Sequence, residues 1–364
     1  MFVVQSALRR KIMEENLTIS HLSVTMTAMK VDSTHTTDGK GVASSFSYFE
    51  LAVVFMGIVG TVGNALVLYA LVASKQHKKH ILIVNQNALD LFSSIFLVLV
   101  YTLRLFNLRL YGVLGYWICI TILSEYLVWL GTNGAILNLA IITIDRYLKI
   151  VYPFWSRKYL RPWVIYCAVA LAWILSIVYN TIIILLTTEV RDGECHSFVV
   201  FVNKWHLTAY ILWYSISFYL IIIVIFIFCY GRILVSIRRQ ASVMAAHSGP
   251  ASGNAQGQSN QIQTNVIKTM ILVSAFYAIA WLPINVYYDV TSYTETIFDN
   301  YYQATMCFAF SYTSANPFIY ATKFDAVRKY LIGMLPCKKN HMQPTEIAMS
   351  NAPRTTGSSG QRNF

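Results

Sequence analysis

Residues 163–186 read WVIYCAVALAWILSIVYNTIIILL, an apolar stretch without a charged side chain. A helix rises about 1.5 Å per residue and the hydrocarbon core of a bilayer is about 30 Å thick, so about 20 such residues cross it. Transmembrane β-strands would be about ten residues long and would alternate apolar with polar side chains. The stretch therefore predicts a membrane-crossing α-helix.

The rest of the chain contains further stretches of this kind. The predicted spans run approximately over 51–73, 81–103, 117–144, 163–186, 207–230, 266–288 and 301–320. The composition of the 364-residue chain agrees, because 56% hydrophobic and 12% charged residues leave more apolar surface than a soluble fold can bury. We predict an all-α membrane protein, a seven-transmembrane helix bundle.

Several other classes of protein are not indicated. Six cysteines are few for a disulfide-built module, and none stands in a zinc-binding spacing. The net charge of +12 does not indicate a nucleic-acid partner, since the basic residues collect between the apolar stretches. The HExxH and GxSxG motifs and paired aspartates in facing spans are absent, so we expect no enzyme.

The distribution of Lys and Arg predicts the orientation. Of 28 such residues, 19 lie on one side, and this side consists of 74–80, 145–162, 231–265 with Lys268, and the segment after 320. Because cytoplasmic loops carry an excess of Lys and Arg, we expect the N-terminus to be extracellular. The sequon Asn16-Leu17-Thr18 lies in that N-terminal segment and makes Asn16 a candidate glycosylation site.

The segments outside the spans have distinct compositions. Residues 1–50 are predicted to be an extracellular segment, and 51–320 the transmembrane domain. Within it, 240–264 has no charged side chain and is rich in Gly, Ser, Ala, Gln and Asn, which predicts a flexible cytoplasmic loop. Residues 321–336 place apolar side chains on one helical face, which is typical of an amphipathic helix on the inner leaflet.

The tail, 337–364, is predicted to be disordered and cytoplasmic. Cys337 at its start is a candidate palmitoylation site, and a free thiol is the alternative. Its serines and threonines are candidate phosphate acceptors that would recruit arrestin, although any disordered tail is similarly rich in serine. These modifications and this partner are hypotheses from composition.

Asp90, in the middle of the second span, is the clearest ionisable group within the membrane. Such a group costs at least a few kcal/mol there, so it indicates function by default. It is either a hydrogen-bonded structural acid or a site for a cation or a proton. A transporter would usually need several such groups, and Asp90 stands nearly alone, which favours a switch.

Three motifs mark the third, sixth and seventh spans. Asp145-Arg146-Tyr147 ends the third span, where the acid can hold the arginine until the helices rearrange. Trp281-Leu282-Pro283 and Asn316-Pro317-Phe318-Ile319-Tyr320 each place a proline inside a helix, which removes a hydrogen bond and kinks it. Prolines are also tolerated structurally in membrane helices.

In this order and position, the motifs resemble those of the rhodopsin-like G protein-coupled receptors, over about 45–335. The resemblance also includes Gly63-Asn64, Asn87-Ala88-Leu89-Asp90, Trp173 and Tyr230. The general pattern is nearest to neuropeptide receptors of the somatostatin, galanin and allatostatin type. The resemblance implies a short eighth helix, a plasma-membrane location and a heterotrimeric G protein as partner.

The resemblance implies an activation switch in which the sixth helix moves outward and opens a cytoplasmic cavity. Arg146 would contact the G protein when released from Asp145, Tyr230 and Tyr320 would stabilise the open form, and Trp281 would lie beneath the ligand pocket. The switch residues are Asp145, Arg146, Tyr147, Tyr230, Trp281, Pro283, Asn316, Pro317 and Tyr320. Asp90 with Asn316 resembles the family's sodium site, and sodium is the only cofactor implied.

The chain departs from the family at four positions. Ala135 replaces a serine that often helps to bind sodium, so weakened sodium binding is expected. Ile222 replaces a proline of the fifth span, which predicts a straighter helix, and Tyr277 replaces a phenylalanine. Gln263 replaces the acid that completes an ionic lock in many members, which predicts appreciable basal activity.

The resemblance also implies a disulfide between the top of the third span and the second extracellular loop, for which Cys119 and Cys195 are the candidates. Cys119 lies 27 residues before Arg146, two more than the usual spacing. A bulge or a shifted helix start is therefore expected near Cys119.

Two positions argue against particular ligands. Val128 stands where monoamine receptors carry an aspartate, and Phe310 stands where opsins carry the retinal-binding lysine. The candidate pocket residues are Glu125, Val128, Trp129, Asn285, Tyr288, Asp289, Tyr302 and Phe310. Acids among aromatic rings would suit a basic or amidated peptide, although aromatic belts also occur at any membrane interface.

We expect a receptor for an extracellular ligand, with a neuropeptide as the leading class. A non-amine small molecule is the alternative ligand, and the absence of a dedicated ligand is also open. From a different class, a channel or transporter remains the rival, and it would predict substrate flux that is insensitive to the loss of G proteins.

Overall fold

The computed structural model describes residues 39–106, 108–197, 204–247, 254–294, 299–323 and 325–334. The candidate modification sites Asn16 and Cys337 and the tail 337–364 lie outside these ranges. The chain divides into two units, Met1–Ser47 and Tyr48–Phe364. The described part of the first unit, 39–47, is helical, and all other described residues belong to the second unit.

Six helices in the described ranges are long and apolar enough to cross a membrane, judged by length and composition. They are Tyr48–Ala73, Ile81–Leu105, Gly112–Val151, Pro162–Thr187, Trp205–Gln240 and Asn265–Thr294. The seventh predicted span forms the helix Asp299–Lys323, which has 25 residues but contains more Asn, Gln, Ser, Thr and Tyr. The prediction of an all-α, multi-pass membrane protein is confirmed, and we number these helices as spans one to seven.

The helices extend beyond the predicted spans. The first is Gly39–Ala73, the second Ile81–Leu105, the fourth Pro162–Thr187 and the sixth Asn254–Thr294. The third is built from Gly112–Ile118, a π-helical turn Cys119–Leu123, and Tyr126–Val151, and the fifth from Lys204–Tyr214, a π-helical turn Ser215–Leu220, and Ile221–His247. Short helices at Pro153–Tyr159 and Asp325–Met334 complete the set.

The segment 240–264 differs from the flexible loop that composition predicts. The fifth span continues as a helix to His247, and the sixth begins at Asn254. Ala and Gln, which recur on both sides, are good helix formers, and lack of charge does not oppose a helix. Gly249-Pro250, outside the described residues, is the strongest helix-breaking signal in the segment. The first helix likewise begins at Gly39, inside the predicted N-terminal segment.

The third span forms the centre of the bundle and is buried over most of its length. Close approach to the second span depends on Gly131, where an added Cβ would lie 2.3 Å from Ser93 Oγ. Gly63 of the first span has the same role against the seventh, because an added Cβ would lie 2.8 Å from Pro317. Small residues at helix contacts are how membrane helices gain dispersion contacts without a hydrophobic driving force.

A β-hairpin, Glu189–Arg191 with Glu194–His196, covers one end of the bundle. Its turn is Asp192-Gly193, and both residues have positive φ, as two-residue hairpin turns require. The predicted disulfide joins Cys195 of this hairpin to Cys119, with 5.4 Å between their Cα atoms. We call this end the disulfide end and the opposite end the Arg146 end.

The two extra residues between Cys119 and Arg146 are accommodated at the start of the third span. The π-helical turn begins at Cys119, and such a turn usually absorbs one inserted residue. The α-helix then restarts after Glu125, which has a left-handed φ of 62°. The expected bulge is therefore present.

Candidate functional site

At the Arg146 end, the carboxylate of Asp145 is bound more closely by a lysine than by its neighbour. Lys149 Nζ lies 2.8 Å from Oδ1 and 2.9 Å from Oδ2, whereas Arg146 Nε lies 3.6 Å from Oδ2. Asp145 is only 4% exposed. Sequence reasoning missed Lys149, although a cation four residues after an acid on a helix is a known pairing signal.

Arg146 is consequently held loosely. Its Nε is buried and donates no hydrogen bond to any described residue. Nearby, burial together with the charges of Arg146, Lys79 and Lys149 lowers the pKa of His80 to about 4. The imidazole is therefore neutral at physiological pH and adds no further positive charge beside Arg146.

A hydroxyl bridge joins three spans near this end. The Tyr230 hydroxyl of the fifth span lies 3.1 Å from Thr143 Oγ1 of the third and 3.0 Å from Ser274 Oγ of the sixth. All three residues are buried. Tyr147 takes no part in this bridge, because its ring packs on Phe228 at 5.6 Å. The sixth span cannot move away from the third without breaking the contact at Ser274 or the contact at Thr143.

Trp281 lies in the core between the two ends. It is 2% exposed and two residues before the helix-interior Pro283, and its ring lies 6.0 Å from that of Trp129. Beneath it, the Tyr277 hydroxyl donates to the Phe218 carbonyl, inside the π-helical turn of the fifth span. The fifth span thus contains a π-helical turn although it lacks the proline, and the phenol that replaces phenylalanine binds at this turn.

Asp90 meets the seventh span through Asn316. Asn316 Nδ2 donates to Asp90 Oδ2 at 2.8 Å, next to the helix-interior Pro317 and one turn before the buried Tyr320. Asp90 Oδ1 and Asn316 Oδ1 are buried and accept no hydrogen bond from the described residues. Two such oxygens suit a small hard cation, whereas Ala135 supplies no third ligand. The residues fit a weak sodium site.

A chain of amides, which sequence reasoning missed, runs to the other side of Asp90. Trp173 Nε1 donates to Asn85 Oδ1 at 3.1 Å, and Asn85 Nδ2 donates to Asn138 Oδ1 at 2.9 Å. Asn138 Nδ2 donates to Gln86 Oε1 at 2.9 Å, and Gln86 Nε2 donates to Asp90 Oδ2 at 3.3 Å. Every donor points towards the carboxylate, so the chain stabilises its charged form.

At the disulfide end, Glu125 is the centre of a buried network. Its Oε1 accepts from Tyr101 at 3.0 Å and lies 2.8 Å from Arg104 Nη1, and its Oε2 accepts from Trp129 at 3.1 Å. Glu125 is 8% exposed. Three donors, one of them cationic, therefore pair both oxygens of the carboxylate within the protein.

Aromatic rings surround this network. The Trp129 ring lies 6.2 Å from Phe310 and 6.4 Å from Tyr214, and Tyr288 lies 6.3 Å from Tyr302. Val128, by contrast, has its side chain buried in the core. The structure therefore brings most of the candidate pocket residues to one end of the bundle.

Asn285 and Asp289 lie on the seam between the fifth and sixth spans. Ser215 Oγ lies 3.0 Å from Asp289 Oδ1 and 3.3 Å from Asn285 Oδ1. Asn285 is buried and Asp289 is half-buried. Ser215 begins the π-helical turn of the fifth span, and nothing in the local sequence marks this residue.

Comparison with known proteins gives one family and several relatives. The family described as "7 transmembrane receptor (rhodopsin family)" matches residues 63–320. Galanin receptor type 1 of Mus musculus is 24% identical over 330 residues, which are 87% of this chain and 89% of that protein. The allatostatin-A receptor of Bombyx mori is 23% identical over 322 residues, 83% and 82% of the two chains. Rhodopsin of Lethenteron camtschaticum is 25% identical over 325 residues, 85% and 87% of the two chains.

Proposed function

Because the chain belongs to the rhodopsin family of seven-transmembrane receptors, we propose that it transmits the binding of an extracellular peptide to a heterotrimeric G protein at the plasma membrane. The chain is a G protein-coupled receptor and not an enzyme. We propose a peptide as the class of ligand, a definite orientation in the membrane and the plasma membrane as the location.

The proposed orientation places the disulfide end outside the cell. The side predicted to be cytoplasmic carries 19 of the 28 Lys and Arg residues. A disulfide persists in oxidising surroundings, which supports an extracellular position for Cys119 and Cys195.

The proposed peptide ligand is supported by the relatives and by the pocket residues. Two of the similar proteins are named as receptors for galanin and allatostatin-A. Similarity to rhodopsin is of the same size, but Phe310 has no amine with which to form the retinal Schiff base. Val128 has no carboxylate to pair with a monoamine. Aromatic and polar side chains at the disulfide end suit a peptide.

The observation that carries the proposed coupling is the state of the Arg146 end. Arg146 is loosely held, and the Tyr230 bridge closes the sixth span against the third. A ligand that favours a packing without the Ser274 contact would open this end and expose the guanidinium to the G protein. Trp281 lies beneath the pocket residues and two residues before Pro283, where ligand binding can bias the two packings.

We also propose that sodium binds at Asp90 and Asn316 and favours the closed packing. Bound there, the ion would neutralise the buried carboxylate of Asp90, and the amide oxygen of Asn316, which accepts no hydrogen bond from the described residues, would be its second ligand. Sodium should reduce basal nucleotide exchange only weakly in the wild type and more strongly in Ala135→Ser. If sodium reduced the basal exchange of Asp90→Asn as much as that of the wild type, the proposed sodium site would be rejected.

Guanine-nucleotide exchange tests the proposed function. Cells expressing the wild type or Arg146→Ala at equal surface level would be assayed without ligand and with a library of extracellular peptides. We expect wild-type exchange that a subset of peptides stimulates and that Arg146→Ala abolishes. Exchange that responds to non-peptide small molecules alone would reject the peptide ligand. Substrate flux without any exchange would indicate the transporter alternative.

A further inference from the structure

The carboxylates at the disulfide end differ in whether a cation already neutralises them. The ion pairs there are Glu125–Arg104 at 2.8 Å, Glu194–Arg109 at 3.3 Å and Glu189–Arg191 at 2.5 Å. Glu50, in the first span, lies in the field of Arg104. The Asp289 carboxylate has no cationic partner within the part of the chain that the structure describes, and the one hydrogen bond that it accepts there comes from Ser215.

The surroundings of Asp289 also lack hydrogen-bond donors. The single hydroxyl hydrogen of Ser215 is shared between Asp289 Oδ1 and Asn285 Oδ1. Asn285 Nδ2 is used elsewhere, because it donates to the Trp281 carbonyl at 2.7 Å. Among the described residues, two acceptor oxygens therefore share one hydrogen, and Asp289 Oδ2 accepts no hydrogen bond from any of them. A half-buried carboxylate in this condition is costly unless another molecule supplies charge and donors.

The position of these oxygens suits a ligand. Asn285 lies one turn after Trp281 on the same helical face, and the Trp281 ring is 6.0 Å from that of Trp129, so the acceptors lie near the aromatic residues of the disulfide end. A carboxylate next to aromatic rings is a favourable combination for a cation, which gains a charge-assisted hydrogen bond and a ring contact. Glu125 differs, because Arg104 already neutralises its charge and both of its oxygens have donors within the protein.

We propose that Asp289, together with Asn285, binds a cationic group of the ligand that donates hydrogen bonds. In a peptide this group is a basic side chain or the free N-terminal ammonium. The inference rests on the proposed peptide-receptor function and specifies which peptides activate the chain. It also separates Asp289, which contacts the ligand, from Glu125, which supports the fold.

Matched peptide mixtures test the inference. Synthetic hexapeptide amides would carry arginine at one fixed position. The matched mixtures would carry citrulline at the same position, since citrulline has a similar shape and no charge. Each mixture would have a free or an acetylated N-terminus. Nucleotide exchange would be measured with the wild type, Asp289→Asn and Asp299→Asn, at equal surface expression. Asp299 is an exposed acid at the start of the seventh span, so its variant controls for surface charge.

We expect a charged mixture to be at least about tenfold more potent than its uncharged counterpart on the wild type. Asp289→Asn should remove this preference, and Asp299→Asn should retain it. A preference for arginine over citrulline would identify a basic side chain as the cationic group. A preference for the free over the acetylated N-terminus would identify the N-terminal ammonium. If Asp289→Asn does not reach the surface, Asp289→Ser provides a second neutral variant.

Three results would overturn the inference and leave the receptor function intact. They are equal potency of charged and uncharged mixtures on the wild type, a preference that survives in Asp289→Asn, and a preference that Asp299→Asn also removes. If no mixture stimulated exchange while the basal exchange still depended on Arg146, the peptide ligand and this inference would both be rejected. Silence with no basal exchange would reject the proposed function itself.

Discussion

At the scale of single residues, the environment of an acid decides its role. Glu125 and Asp289 both lie at the disulfide end, but Glu125 has three donors and Asp289 has one that it shares. Asp145 shows the same effect at the other end, where Lys149 takes the carboxylate and leaves Arg146 loosely held. In each case the number of donors within reach decides whether a charge is available to another molecule.

Glu125→Gln should destabilise the fold because it removes the charge that balances Arg104. We expect a loss of about 2 kcal/mol, less than for a fully buried pair, since the Arg104 side chain is 35% exposed. Arg104→Met should also destabilise, and the double variant should lose less than the sum of the two. Melting temperatures of the purified receptor in detergent would measure this coupling, and strictly additive losses would contradict it.

At the scale of elements, two π-helical turns adapt regular spans to their contacts. One begins at Cys119 and brings the third span into register with the hairpin disulfide. The other begins at Ser215, places this hydroxyl near Asp289, and contains the Phe218 carbonyl that binds Tyr277. Such turns leave parts of the helical ladder open to side chains, which is why they are frequent at functional sites.

Cys119→Ser/Cys195→Ser should lower stability and reduce the response to peptides more than the basal exchange. The bond closes a loop with a sequence separation of 76, and disulfides of this kind contribute about 2–4 kcal/mol. It lies at the disulfide end, far from Arg146, so basal exchange should fall less. Cys167→Ser, at a free and exposed cysteine, is the matched control for thermal melting. An unchanged melting temperature of the double variant would be evidence against this role.

At the scale of the whole molecule, the bundle is closed at the Arg146 end by few polar contacts. The Tyr230 bridge connects the third, fifth and sixth spans, while Asp90 and Asn316 connect the second and seventh. Each hydrogen bond is worth about 1 kcal/mol, which is comparable with the differences that separate two packings of a receptor. The equilibrium should therefore respond to single hydroxyl groups.

Ser274→Ala should raise basal nucleotide exchange, because it removes a contact that exists only while the sixth span is closed. A loss of about 1 kcal/mol changes the ratio of open to closed receptor about fivefold. Thr269→Val is the control, since among the described residues the Thr269 hydroxyl donates within its own helix, to the Asn265 carbonyl at 2.8 Å. Exchange per receptor at the cell surface is the measurement, and a decrease in Ser274→Ala would show that the bridge does not restrain the closed form.

The sequence alone determined the class of fold and the order of the spans, and its resemblance to the family implied the pairing of Cys119 with Cys195. Span length and hydropathy are local properties of the sequence, and motifs such as Asp145-Arg146-Tyr147 can be recognised from the order of their residues alone. Only the tertiary structure decided that Glu125 is neutralised, that Lys149 binds Asp145 and that the amides from Trp173 lead to Asp90. These contacts depend on helix rotation and on where π-helical turns shift the register. The same rotation places the Asp289 carboxylate beside Ser215, and no cationic side chain of the described residues pairs with it.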